Sequence, residues 1–211
     1  RGCRQGDPYS CLRYNAFMNG LLRHLDTVGV KWSVSPKISI HAQFFADDSM
    51  LIAPTLAGLQ KLLSATHQFF DFFGLKCNTD KSYYTTNDPS SKENVHFRSL
   101  DDETHAPLTK KRPSDSIRYL GYLINLDLDW THQHNNITNK LQTAQSIIEN
   151  ANLTPHDAIT ALNSVISGRF NYLFQVMTVP PKTLDIWDKL LLNAARAKVR
   201  CGASQPSLQI H

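Results

Sequence analysis

Cysteine is scarce and scattered. Cys3, Cys11, Cys77 and Cys201 are the only four in 211 residues. No two stand in a C-x-x-C spacing, so neither a zinc site nor a disulfide framework is expected. A reducing, intracellular setting is the default for such a chain. Long apolar runs are also missing: nothing approaches the roughly 18 consecutive apolar side chains of a membrane-spanning helix, and no signal peptide is visible. No membrane partner is therefore expected. There is no internal repeat and no low-complexity tract. Charge of either sign is modest, with 22 Lys and Arg against 18 Asp and Glu for a net charge of +4. That balance permits a nucleic-acid partner without demanding one. The first residue is Arg1 rather than Met, which reads as a piece of something longer. Two N-x-T sequons, at Asn136 and Asn152, mean little without secretion.

A hydrophobic content of 41% is ordinary for a globular core. Asp7 followed by Pro8 reads as an N-cap with proline in the first helical turn. Leu12, Leu21, Leu22, Leu25 and Val28 recur at helical spacing and Gly29 can end the helix. The spacing predicts a helix over 8–28. From Ile38 the period falls to two, with Ile38, Ile40, Ala42, Phe44 and Ala46 on one face. Ser39, His41, Gln43, Phe45 and Asp47 lie on the other, open face. Met50 to Ala53 reads as a return strand. Thr55 can cap a second helix whose apolar stripe runs from Leu56 to Phe73 and stops at Gly74. Short strands are expected near 75–78 and 82–86. Residues 87–116, rich in Asp, Pro, Ser and Lys, read as a long surface loop or disordered insertion. "SIRYLGYLINL" (116–126) is strand-like. Beyond Trp130 three helices are expected, over about 131–151, 154–177 and 181–200. A boundary is placed near residue 130, giving an α+β half and an all-α half.

"FFADDSML" (44–51) sets two aspartates in an apolar run. Adjacent carboxylates repel, and ionising both beside an apolar strand is costly unless a cation is present. A divalent metal removes the cost. Mg²⁺ is commonly held by one or two carboxylates plus substrate phosphates. The alternation puts Asp47 on the open face and Asp48 at the turn. Two aspartates also make an ordinary polar hairpin tip. Elsewhere, "RGCRQGDPYS" places Gly, Gln and two Arg before a helix N-terminus, where backbone can approach a phosphate. It is equally a plain capped helix start. "GLKCNTDKS" places Lys81 after a strand, where an ammonium can meet phosphate or simply solvent.

In their order along the chain these stretches resemble the motifs of reverse transcriptases, and among them those of non-LTR (LINE-type) retrotransposons. "RGCRQGDPYS" resembles motif B, "FFADDSML" motif C, "FFGLKCNTDKS" motif D and "IRYLGYLI" motif E, the primer grip. The tail with "VPPKTLDIWDKLL" is similar to the thumb that follows. The resemblance implies a polymerase palm over 1–130, an antiparallel sheet with helices on one face, with a loop or insertion at about 87–116. A helical thumb and its extension follow over 131–211. It implies Asp47 and Asp48 as metal-binding catalytic aspartates and Lys81 near the triphosphate. Arg4, Gln5 and Gly6 would contact template and nucleotide, and Tyr119, Leu120 and Gly121 would hold the primer end. The implied reaction is RNA-directed DNA polymerisation, in which a DNA primer 3′-hydroxyl attacks a deoxynucleoside triphosphate opposite an RNA template. Two Mg²⁺ ions would assist, in an intracellular, nuclear setting.

Tyr9 stands where the family has Leu and Cys11 where it has Pro, changes that fall on packing. The family's motif A, whose aspartate completes the metal site, precedes motif B, so its place falls before Arg1. Asp71, Asp127 and Asp129 do not occupy its place in the order. These residues alone are therefore expected not to polymerise, motif A coming from an upstream segment or a partner chain. The rival expectation is a non-catalytic remnant that binds nucleic acid or serves as a scaffold.

Several other features have plainer readings. "TKKRP" (109–113) reads as a solvated basic loop more than a backbone contact. Lys182, Lys189, Arg196, Lys198 and Arg200 make the last helix basic, for a duplex or for solvent. His132 and His134 lack a third ligand, so no metal is expected there. Phe69 to Phe73 read as core, and Trp130 and Trp187 as packing anchors.

Overall fold

The computed structural model describes residues 9–88, 91, 94–97 and 108–199. It divides into two compact units, Arg1–Asp115 and Ser116–His211. The boundary lies at 115/116 rather than near 130. The reason is Tyr122, a strand residue whose buried ring belongs to the core of the helical half.

In the first unit, α1 spans Ser10–Val28 and ends at Gly29, whose φ of 72° is the left-handed conformation that suits glycine. Asp7 and Pro8, the expected cap, lie outside the described residues. Met18, Leu21 and Leu25 form the buried stripe, while Leu12 is exposed and not part of it. The single strand expected from Ile38 is broken at His41. β1 (Trp32–Ser35) pairs with β2 (Ile38–Ile40), and β3 (Ala42–Phe45) pairs with β4 (Asp48–Leu51), both antiparallel. Ile38 is consequently exposed, whereas Ala42 and Phe44 pack inward as the alternation predicts.

Helix α2 (Leu56–Phe72) starts as Thr55 indicates: its hydroxyl accepts from the Gly58 N–H at 3.1 Å. Leu62 and Ala65 meet the α1 stripe, with Phe44 and Leu51 of the second hairpin packed against them. Phe69 and Phe70 join the core, but Phe72 is 83% exposed and Phe73 about half exposed, so the phenylalanine run is only partly core.

No strand forms at 75–78. A 3-10 turn at Thr79–Lys81 leads into β5 (Tyr83–Thr85), which pairs in parallel with β6 (Thr109–Lys111). Of the surface loop expected over 87–116, residues 89–90, 92–93 and 98–107 lie outside the described residues, and described positions on either side of 98–107 are anchored on the body of the unit. Val95, Phe97 and Leu108 are buried with Tyr84 and Leu63. Gln60 clamps His96, donating to its carbonyl and accepting from its N–H, both at 2.8 Å. "TKKRP" contributes a strand instead of a loop.

In the second unit, β7 (Ile117–Tyr119) and β8 (Tyr122–Ile124) form a hairpin. Helix α3 spans Thr131–Asn150. The next helix was expected to be continuous to about 177, yet it is fragmented. Thr154 caps α4 (Pro155–Thr160), a π-helical stretch covers Ala161–Ser167, α5 is Gly168–Asn171, and a 3-10 turn follows at Leu173–Gln175. Helix α6 spans Pro181–Val199. Ile137, Leu141, Phe170, Leu173, Met177 and Trp187 close around Tyr122. Among the described residues the strands make four separate two-stranded ladders, one of them parallel, in place of one continuous antiparallel sheet. The class is α+β.

Candidate functional site

The carboxylate pair sits at the tip of the β3–β4 hairpin. The register pairs Phe45 with Asp48, Phe44 with Ser49 and Ala42 with Leu51. The turn is therefore Ala46–Asp47, and Asp48 is the first residue of β4. This reverses the expected placement: Asp47 is at the turn, and Asp48 shares the open face with Phe45, Gln43 and Met50. Ala46 makes the reversal possible by adopting a φ of 50°, a conformation that costs an L-residue about 1–2 kcal/mol. Both aspartates are exposed. His41, expected on the open face, is instead buried at the bend, its Nδ1 3.9 Å from Asp26 Oδ1. Its carbonyl accepts from the Ile52 N–H at 2.8 Å, which ties the base of the hairpin.

Two phenols feel the charges at the tip. Tyr14 continues the α1 stripe one turn before Met18 and packs on the same core as Phe44. Burial, and then the charge of Asp47, push its hydroxyl above the ordinary phenol range. Tyr83 is raised in the same way, first by burial and then by Asp48. Both stay protonated at neutral pH and so remain donors. Spacing did not single out either one. Tyr14 was readable as the member of the i, i+4, i+7 stripe nearest the motif.

Lys81 is exposed at the end of the 3-10 turn, two residues before Tyr83; its N–H donates to Asn78 Oδ1 at 3.3 Å. Among the described residues no ion pair links it to Asp47 or Asp48. Arg4, Gln5 and Gly6 lie outside the described residues. Tyr119, Leu120 and Gly121 fall in the second unit, where Leu120 and Gly121 are the two turn residues of the β7–β8 hairpin at φ 48° and 87°. The structure thus brings Asp47 and Asp48 together at one tip, with Tyr14 and Tyr83 in electrostatic reach.

Asp47 and Asp48 offer the hard oxygens that Mg²⁺ takes. Among the described residues no group of three His, Cys, Asp or Glu side chains is placed to hold a metal. The pair therefore fits part of a magnesium site rather than a whole one. A cleft of about 280 Å³ lined by His24, Gln68, Phe69 and Phe72 contains none of the motif residues.

Other basic candidates resolve differently. Lys198 donates to the carbonyls of Glu149 and Ala151, at 2.9 and 2.8 Å, and so caps the end of α3. Trp187 is buried and donates to Thr138 Oγ1 at 2.8 Å, a packing anchor as expected. His134 meets the Thr178 carbonyl at 2.9 Å.

Residues 1–124 match the family model described as "Reverse transcriptase (RNA-dependent DNA polymerase)". The chain belongs to the reverse transcriptase family. It is 30% identical to the Retrovirus-related Pol polyprotein from type-2 retrotransposable element R2DM of Drosophila melanogaster, over all of this chain and 20% of that protein. It is 28% identical to the Pol polyprotein from type-1 retrotransposable element R2 of Nasonia vitripennis, with the same coverage. An R2 Pol polyprotein of Popillia japonica is 26% identical over 79% of this chain and 34% of its own length. This reverse transcriptase chain is of the non-LTR kind and spans about a fifth of the length of the first two relatives.

Proposed function

We propose that this chain forms part of the catalytic region of an RNA-directed DNA polymerase that adds deoxynucleotides to a primer 3′-hydroxyl on an RNA template. The observation that carries the reading is the exposed Asp47–Asp48 pair at a strained two-residue hairpin turn, within a chain of the reverse transcriptase family. Strain concentrated at a turn is characteristic of functional sites. In this reading residues 1–130 are palm, the β7–β8 hairpin included, and residues 131–211 are thumb and its extension. Asp47 and Asp48 hold Mg²⁺ together with a carboxylate from outside the described residues. The metal supplies charge stabilisation for the attacking and leaving oxygens. Lys81 favours the triphosphate, Arg4, Gln5 and Gly6 contact template and nucleotide, and Tyr119, Leu120 and Gly121 hold the primer end.

The test uses the full-length protein with primed RNA, Mg²⁺ and deoxynucleotides. Replacing Asp47 and Asp48 together by Asn should abolish extension, and extension that persists sinks the reading. These 211 residues alone should not extend the primer, because two carboxylates leave the metal geometry unfixed.

The second reading, a non-catalytic nucleic-acid-binding remnant, is favoured by the lack of a third metal-holding side chain among the described residues. It predicts RNA binding without extension by the full-length protein.

A further inference from the structure

Asp26 breaks a local rule. It stands in the last turn of α1, where the negative end of the helix dipole disfavours a carboxylate. His41 breaks another. Its ring is buried at the junction of β2 and β3, and its Nε2 finds no hydrogen-bond partner among the described residues. An apolar side chain there would avoid that desolvation cost. The two meet: Asp26 Oδ1 lies 3.9 Å from His41 Nδ1, and the same oxygen takes Lys31 Nζ at 2.7 Å. One carboxylate thus gathers the end of α1, the entry to β1 and the start of β3. The hydrogen bond from Lys31 holds that carboxyl below its ordinary range, so it stays charged at neutral pH. Two local conflicts at one contact are expected where function rather than stability selects the residues.

The contact sits where a small rotation has a large effect. His41 immediately precedes β3, and its carbonyl accepts from the Ile52 N–H at 2.8 Å, closing the base of the β3–β4 hairpin. Four regular rungs then run from Ala42–Leu51 to Phe45–Asp48. That is about 14 Å of strand from base to tip. A tilt of about 5° at the base would move the tip by roughly 1 Å, and a displacement of that size can slow a reaction about a hundredfold. Ala42 and Phe44 pack on the α1 stripe, but apolar contact is non-directional and leaves such a tilt open.

We propose that Asp26 is a positioning residue for the acid pair: through His41 it fixes the angle at which the β3–β4 hairpin presents Asp47 and Asp48, and Lys31 holds its carboxylate in place. The inference rests on the polymerase reading given above.

The experiment compares Asp26→Asn with the parent in the full-length protein, using primed RNA, Mg²⁺ and deoxynucleotides. This variant keeps the shape of the side chain and removes its charge. The kcat should fall roughly tenfold, less than for a full 1 Å displacement because apolar packing still holds the base. The KM for nucleotide and the affinity for primed template should stay within about twofold. The thermal midpoint should not fall, because a half-exposed ion pair contributes little and the helix end is relieved of an acid. His41→Phe keeps a buried ring and loses both nitrogens. It should slow extension by a similar factor, and adding it to Asp26→Asn should bring no further loss. Unchanged kcat in Asp26→Asn overturns the inference. So does a loss of rate matched by a lower midpoint, or losses that multiply in the double variant. Asp47→Asn in the same assay separates the two layers. If it abolishes extension while Asp26→Asn is silent, only the role of Asp26 falls. If extension survives Asp47→Asn, the polymerase reading falls with it.

Discussion

Two hairpins in this chain, β3–β4 and β7–β8, turn in the same way. Each is closed by a two-residue turn whose first residue, Ala46 or Leu120, holds a φ near 50° that favours glycine. They differ in what secures them. The Tyr122 hydroxyl donates to the Tyr172 carbonyl at 2.7 Å, and the Leu123 N–H donates to the Oε1 of fully buried Gln133 at 2.8 Å. Asn125 closes the following turn, its side-chain oxygen accepting from the Asp129 N–H at 2.9 Å. At the β3–β4 tip, Phe45, Asp47 and Asp48 are all exposed, and among the described residues neither carboxylate is hydrogen-bonded. One hairpin spends its polar groups on its own unit and so fixes where a turn stands. The other leaves its two acids exposed at the turn. Apolar packing of Phe44 and Ala42 holds its base, which costs no polar group at the tip.

The sharpest way to break this contrast is to replace Asp48 by Asn in the full-length protein. Nucleotide incorporation should drop about a thousandfold or more. The unfolding free energy should stay within about 0.5 kcal/mol, as for other exposed substitutions. In the second hairpin the pattern should invert. Gln133→Ala strands the Leu123 N–H and opens a cavity, and denaturant unfolding should show a loss of about 2–3 kcal/mol. Tyr122→Phe removes only the bond to Tyr172, and about 1 kcal/mol should go. Smaller still, Ala46→Gly should stabilise by about 0.5 kcal/mol, because relief of the left-handed strain exceeds the added unfolded-state entropy. Leu120→Gly should gain nothing, since it also gives up a partly buried side chain.

The last and smallest effect is acid-dependent. Thr131 donates through its hydroxyl, and next through its N–H, to Asp129 at 2.6 and 2.9 Å, which holds that carboxyl below its usual range. A depressed folded-state value means that the contribution is complete above the unfolded carboxyl titration near pH ~3.9. It is lost as pH falls through the lower folded value. Amide exchange at Thr131–His134 should therefore quicken below that range, and Asp129→Asn should remove the pH dependence.

Local chemistry was legible in the sequence. Thr55 and Gly74 bracket α2, Gly29 ends α1, and Thr154 with Pro155 opens α4, because caps act within a few residues. The inward faces of Ala42 and Phe44 followed from alternation. Features set by distant partners were not legible. The break at His41 depends on Asp26 and on the Ile52 N–H. The parallel pairing of Tyr83 with Thr109 spans 26 positions and has no local signature. The swap of Asp47 and Asp48 turned on Ala46, which carries none of the Gly or Asn chemistry that marks such turns. Lys198 read as a surface charge because its carbonyl partners, Glu149 and Ala151, lie 47 to 49 residues away. Arg4, Gln5 and Gly6, whose roles the resemblance implies, lie outside the described residues.

The parallel β5–β6 ladder carries a kinetic consequence. Parallel neighbours cannot be joined by a tight turn, so residues 86–108 must be threaded between the strands before a single rung forms. Loop closure comes first and its reward later, which makes this pairing a slow step in refolding of the first unit. The same physics makes the connector forgiving of length: doubling it adds only about 0.6 kcal/mol of closure entropy. Descendants of this chain should differ in length there more readily than between Phe44 and Leu51, where one extra residue would shift the register of the hairpin and re-aim Asp48.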